Sequence, residues 1–492
     1  MRALSLFLAL ASSAIAKPIL DGRGTRSQRI QWGVCDFPST GTLPIECGNL
    51  SVPLDYTSPS SSETLTLALI RSRAPQTQPS KGTILFNFGG PGYGAIQTLN
   101  ALAELLHYRT GGQHDLIAFD PRGVSKSLRF SCYDTPNDRL IAGYKYPMLA
   151  VDASDVALAD TWANTQASYN VSFVARDLMQ VVEALDEDGL LRFWGFSYGS
   201  LLGATVAAMF PDRIDRLVLD GVVNGHNYYH RFGIDVDQLL SADDAFRGVL
   251  DACIKAGPAK CALATVNSTA VELEKTLMRL ADNFKHAPMA VGDTVINTRF
   301  VRELYFIVIK YPSNVAAAAV HINNLLHRRN LTAVVDFYNG LQADIATGDD
   351  DALLGIKCGD TIPRASALAD VMPDIRHMMR TSKVFGPYLA EIGTMCARWP
   401  FEAKERYAGS FKVKTRTPIL FVGNTYDPAT PAASARNMSV SFEGSVMVEQ
   451  HGFGHASLSQ ASACTTKILQ AYFVNGTLPK DGTLCEVDAL LF

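Results

Sequence analysis

Short apolar segments recur along this chain with helix-like stretches between them, and this alternation limits the fold more than any other feature. Thr83–Phe88, Asp115–Phe119, Leu191–Phe196, Arg216–Leu219, Pro418–Val422 and Val446–Val448 read as strands. Earlier, Leu65, Leu67 and Leu69 alternate with Thr64, Thr66 and Ala68, which is the period of a further strand. Ser172–Leu185 and Leu201–Phe210 carry helical patterns between them. Strands this apolar need cover on both faces, so the expectation is a mainly parallel sheet sandwiched by helices.

The rhythm fails from Asn224 to Ser410, where helical periodicity takes over, as in Ala270–Phe284 and Val315–Arg328. The expected division is a leader at 1–16, a first core part at 17–223, a helical lid at 224–410 and a second core part at 411–492. A separate helical domain with no catalytic role is the competing account, but a position between two core strands favours a lid. With 492 residues, 47% hydrophobic and 19% charged, the chain can build a large core, and global disorder is excluded. A net charge of −4 argues against a general nucleic-acid binder.

Met1-Arg2-Ala3, the apolar run Leu4–Leu10 and Ala14-Ile15-Ala16 before Lys17 have the order of a signal peptide. A buried N-terminal helix is the alternative. No later segment offers about 18 uninterrupted apolar residues, so no membrane anchor is expected. Sequons at Asn49, Asn170, Asn267, Asn330, Asn437 and Asn475 agree with a secreted or vacuolar, glycosylated protein. The nine cysteines are odd in number. Spacing does not determine connectivity, but proximity suggests Cys35–Cys47, Cys253–Cys261, Cys358–Cys396 and Cys464–Cys485, leaving Cys132 over. None has the CxxC spacing of a metal or redox site.

The sharpest motif is Gly195-Phe196-Ser197-Tyr198-Gly199, which follows a strand and leads into a helix. That context suits a serine nucleophile lifted out of the sheet end, with the helix N-terminus stabilising developing negative charge. A helix-capping serine is the plainer reading. A serine hydroxyl needs a base, and the base needs an orienting acid. Asp427 follows the strand Pro418–Val422, and His455 follows Val446–Val448, giving the order serine, acid, histidine.

Asp220 competes as the acid and His451 as the base. Asp220 reads otherwise as a turn-capping carboxylate beside Gly221, and His451 as a loop histidine bonded to backbone. Asn87-Phe88-Gly89-Gly90-Pro91-Gly92 follows the strand Thr83–Phe88 and would bring N–H groups to a reacting carbonyl. The N–H of Gly90 with that of Tyr198 makes the expected oxyanion hole. A phosphate loop is a poor alternative because no GxxxxGK[ST] pattern is present. Asp120-Pro121-Arg122-Gly123 reads as a buttressed turn under the site.

Together these segments resemble the secreted α/β-hydrolase peptidases of the prolyl and tripeptidyl aminopeptidase type. The resemblance runs through Val52–Tyr56, Gly89–Gly92, Asp120–Ser127, Gly195–Gly199, Phe210–Ile214, Val218–Val222, Tyr426–Pro431 and Gly452–His455. The C-terminal part looks like the module of the tripeptidyl-aminopeptidase branch. The resemblance implies an α/β-hydrolase fold with a large helical lid, and places nucleophile, acid and base on Ser197, Asp427 and His455. It implies acyl transfer near a peptide N-terminus with no metal or organic cofactor.

The sequence departs from the family's pattern at Tyr93 in the oxyanion loop, Ser125 in the Asp-Arg-Gly turn, and Asn224 where an acid is frequent. Glu303 and Glu391 are lid carboxylates available to face an ammonium group, though each also reads as structural or solvent-facing. The competing functions are an esterase, lactonase or amidase acting on a small molecule, and a non-catalytic binding protein on a hydrolase scaffold.

Overall fold

The computed structural model describes residues 29–492 except 59, 76–79, 136, 139–140, 142–149, 153, 155–157, 160–161, 163–172, 233–235, 266–267 and 346–349. The expected leader, Asn170 and Asn267 lie outside the described residues. The strands are β1 (Gln31–Gly33), β2 (Ile45–Pro53), β3 (Thr64–Ser72), β4 (Thr83–Asn87), β5 (Asp115–Phe119), β6 (Leu191–Phe196), β7 (Ile214–Asp220), β8 (Met289–Val291), β9 (Thr294–Ile296), β10 (Leu420–Tyr426), β11 (Val446–Phe453) and β12 (Thr483–Glu486).

Ten of them form one sheet in the order β1-β2-β3-β5-β4-β6-β7-β10-β11-β12. The pairs β1·β2, β2·β3 and β3·β5 are antiparallel, and every pair from β5 to β12 is parallel. The apolar segments of the sequence fall in the middle of this sheet. Every residue of β4 and β6 is buried. Alternate side chains enter two different cores, as the two-residue period of a strand requires.

On one face Leu85, Phe193, Leu217 and Phe421 pack with the helices Val174–Ala184, Tyr198–Met209 and Ala432–Ser439. On the other face Phe86, Trp194, Val218 and Leu420 pack with Ala95–Thr110 and Ala463–Asn475.

A large helical insertion lies between β7 and β10. It has its own core, in which Leu277, Leu304, Phe306, Ile309 and Phe385 are buried together. Local capping sets its helix starts. Thr269 and Glu272 form a reciprocal capping box for Ala270–His286, and the Asn297 side chain accepts from Phe300 N–H at the start of Thr298–Lys310. The sequence gives no expectation of strands here, yet β8 and β9 pair as a hairpin. Three residues each are too few for a readable period.

The disulfides are Cys35–Cys47, Cys253–Cys261, Cys358–Cys396 and Cys464–Cys485. Cys132 joins none of them. Among the described residues no helix is long and apolar enough to cross a membrane.

Candidate active site

Parallel strands deliver their carboxyl ends to one edge, and the candidate residues gather there. β6 ends at Phe196, and the helix Tyr198–Met209 begins two residues on. Ser197 between them takes φ 56° and ψ −124°, a conformation few side-chain-bearing residues adopt. The turn is held from both sides. Ser197 N–H donates to Asp220 O at 3.0 Å, and Ser197 O accepts from Ser200 N–H at 2.8 Å.

Asp427 sits just past β10, wholly buried, and its carboxylate is fully used. Oδ1 accepts from the N–H groups of Ala429 and Thr430, both at 2.9 Å. Oδ2 accepts from Thr430 Oγ1 at 2.8 Å and Ala456 N–H at 2.9 Å. His455 Nδ1 lies 3.0 Å from each oxygen. Burial pushes the Asp427 carboxyl upward, but His455 and the backbone N–H groups outweigh it and hold the group below the ordinary carboxylate value. His455 Nε2 is buried and has no hydrogen-bond partner among the described residues. Ser197 Oγ and His455 Nε2 therefore share no hydrogen bond here.

The histidine loop is pinned to its neighbours. Asn424, at an irregularity in β10, donates from Nδ2 to Gly454 O at 3.0 Å and Ala456 O at 2.8 Å. Asp220 receives Ser457 N–H at 2.9 Å, Ser457 Oγ at 2.6 Å and Trp194 Nε1 at 3.3 Å. Burial raises the Asp220 carboxyl to about 6. Its role differs from the turn cap expected of it: it anchors the loop that carries His455.

The oxyanion loop lies directly over the serine. A side chain at Gly89 would sit 2.7 Å from Ser197 Cβ and 2.6 Å from Phe196 O, so only glycine allows this approach. Gly89 N–H is donated to Asn87 Oδ1 at 3.0 Å, which leaves the next amide, that of Gly90, for another acceptor. Tyr198 N–H opens its helix and has no intrahelical acceptor. Asp120 fastens the far end of the loop by accepting from Ala95 N–H at 2.7 Å and Ile96 N–H at 3.2 Å. Arg122 pairs bidentately with buried Asp177, both contacts at 2.6 Å, and reaches Leu54 O and Pro53 O. That is the buttressed turn expected from Asp120-Pro121-Arg122-Gly123.

His451 stands within β11, exposed, with Nδ1 3.1 Å from Glu486. It is a strand residue bonded to a carboxylate and not a loop histidine bonded to backbone. Glu303 and Glu391 are buried and share Arg299, at 2.7 Å and 3.0 Å. Tyr338 and Gln342 complete the shell of Glu303. A second serine–histidine contact, Ser72 Oγ to His107 Nε2 at 3.0 Å, is of a different kind. Ser72 pairs with Leu116 near the start of β5, at the opposite end of the sheet from Ser197. His107 Nδ1 has no partner among the described residues, so no acid orients that ring, and burial lowers it to about 4.

Three contributors are not singled out by the sequence. Thr430 bridges Asp427 and His455, at 2.8 Å and 3.1 Å. Lys310 O accepts from His455 N–H at 2.9 Å. Asp360 accepts from Tyr198 Oη at 2.9 Å. Thr430 lies inside the Tyr426–Pro431 segment that carries the resemblance; Lys310 and Asp360 lie in the helical insertion, where no motif marks them.

Residues 82–250 match the family model described as alpha/beta hydrolase fold, and residues 382–485 the one described as TAP-like protein. Among curated proteins the chain is 27% identical to "Serine protease Hip1" of Mycobacterium tuberculosis, over 89% of this chain and 87% of that protein. It is 26% identical to "Tripeptidyl aminopeptidase" of Streptomyces lividans, covering 94% and 87%. It is 28% identical to "Carboxylesterase B" of Mycobacterium tuberculosis, covering 89% and 86%.

Proposed function

Because this chain belongs to the α/β-hydrolase serine peptidases of the prolyl and tripeptidyl aminopeptidase type, we propose that it is an exopeptidase working by acyl transfer at Ser197. The observation that carries this reading is the saturated Asp427 beside a His455 whose outer nitrogen is unengaged. Every donor around Asp427 requires it to accept, so His455 bears its proton on Nδ1. The lone pair is then on Nε2, where a base for Ser197 needs it.

His455 Nε2 takes the Ser197 proton as Oγ bonds to the substrate carbonyl carbon. The N–H groups of Gly90 and Tyr198 receive the charge that develops on oxygen. The tetrahedral intermediate collapses, the peptide C–N bond breaks, and His455 gives its proton to the departing amine. Water repeats the sequence on the acyl-enzyme and restores Ser197. No step needs a redox partner or a metal.

The helical insertion, with a core of its own pressed on the histidine loop, supports restricted access and hence cleavage near a chain end. Buried Glu303 and Glu391, sharing one arginine, form a carboxylate-rich cluster in the lid, which suits recognition of a free ammonium group. The disulfides and the exposed Asn49, Asn330, Asn437 and Asn475 support an extracellular or vacuolar location with glycans at those sites. The likeness to a carboxylesterase supports a second reading, hydrolysis of small esters or amides by the same residues.

Incubation with a peptide library and mass spectrometry of the products separates the two. Release of short N-terminal fragments is expected; ester turnover without any peptide cleavage would overturn the exopeptidase reading. Ser197→Ala is expected to fold normally, to lose labelling by a fluorophosphonate and to lose turnover by a factor of about 10⁴ or more.

A further inference from the structure

Asp360 occupies an awkward place for a carboxylate. It is the last residue of the lid helix Asp350–Asp360, where the helix dipole disfavours negative charge. It is only 7% exposed. Among the described residues no cation forms an ion pair with it. Arg406, whose charge it feels, instead contacts Glu402 and Thr361 O. What Asp360 does hold is two phenols: Oδ2 accepts from Tyr198 Oη at 2.9 Å and from Tyr228 Oη at 3.5 Å.

Tyr198 is the residue directly after Ser197, and the two tyrosine rings pack at 6.0 Å between centroids. A cavity of about 120 Å³ adjoins this contact, lined also by Arg176, Tyr229, Glu405, Arg406 and Tyr407. The support behind Asp360 is rigid. Cys358, two residues earlier, is bridged to Cys396 on another lid helix. Immediately after it, Thr361 Oγ1 donates to Arg231 O at 3.1 Å and Ile362 N–H to Tyr229 O at 2.9 Å.

We infer that Asp360 is a positioning residue, fastening the lid to the side chain of the residue whose backbone N–H serves the oxyanion. A second lid helix does the same for the base. Thr298–Lys310 ends on Lys310 O, which takes the N–H of His455 itself. The lid is thus part of the catalytic framework as well as a cover over it. A carboxylate kept at a costly position is better explained by this contact than by stability.

This inference rests on Ser197 as nucleophile and Tyr198 as oxyanion donor. Its test uses p-nitrophenyl acetate, whose two-carbon acyl group is too small to reach lid subsites. A lid that only shapes the substrate pocket would not affect it. Steady-state kinetics and fluorophosphonate labelling rates are measured for the wild type, Tyr198→Phe, Asp360→Asn and the double variant. Each single change is expected to lower kcat by roughly tenfold with KM moved less than about twofold, the loss of one buried hydrogen bond. The double variant is expected to be no worse than the poorer single one, because the two share one contact.

Wild-type turnover and labelling in both single variants, or losses that multiply in the double variant, would overturn the inference alone. Failure of the wild type to label at Ser197 would overturn the functional reading and this inference with it. If Asp360→Asn does not fold, Tyr198→Phe carries the test, since phenylalanine fills the same space.

Discussion

At the scale of single residues, the site is decided by hydrogen-bond saturation. Asp427 accepts from three backbone N–H groups, one hydroxyl and one imidazole, so it has no freedom to act other than as an oriented acceptor. Asp427→Asn replaces an acceptor by a donor at a place where every neighbour donates. We expect kcat to fall by about 10³–10⁴ with the fold retained, read by steady-state kinetics on any turned-over ester or peptide. His451→Ala removes an exposed contact to Glu486 and a ring contact with Tyr426, and is expected to change kcat less than about twofold. Equal losses from the two variants would reassign the base.

At the scale of elements, the loop carrying His455 is squeezed between the sheet and the lid. Gly454 takes φ 93°, and a side chain there would stand 2.6 Å from Pro312 Cδ, just beyond the lid helix Thr298–Lys310. Gly454→Val combines a disfavoured backbone conformation with a collision between its new side chain and the Pro312 ring. We expect destabilisation of about 2 kcal/mol or more and loss of activity, measured by denaturant unfolding and ester turnover. A stable, active Gly454→Val protein would mean the lid yields at this contact. The strand–turn–helix around Ser197 is legible in the sequence because all of it is local. The role of Asp360 is not legible there, because its contact with Tyr198 spans 162 residues and lies in a segment with no strand rhythm.

For the whole molecule, buried carboxylates make stability depend on pH. Burial raises Asp360 from 3.8 to about 7, so the folded state holds its proton more tightly than the unfolded chain. The folded state then binds more protons between about pH 4 and 7, and stability falls as pH rises through that window, by at most about 4 kcal/mol from this group. Asp220, raised to about 6, adds in the same direction over the lower part of it. Asp427 opposes them, since its lowered value contributes stability that is lost in acid. Asp360→Asn cannot ionise, so its melting temperature relative to the wild type should rise by several degrees between pH 5 and pH 8. A difference that stays constant across that range would show that Asp360 titrates normally.

What the sequence determined by itself was everything carried by short-range pattern. The apolar runs that became β4, β5, β6, β7 and β10, the turn at Ser197 and the chain order of Ser197, Asp427 and His455 were all readable from neighbouring residues. Cysteines close in sequence paired as proximity suggested, because short loops bring thiols together at little entropic cost. Tertiary structure alone decided how those pieces support one another. Asp220 stayed a competitor to Asp427 as the acid until folding placed it against Ser457, and Glu303 joined Glu391 only because two lid helices share Arg299. Hydrogen bonds between distant segments leave no periodic trace in a chain, so the residues that hold the catalytic atoms in place appear only once the chain is folded.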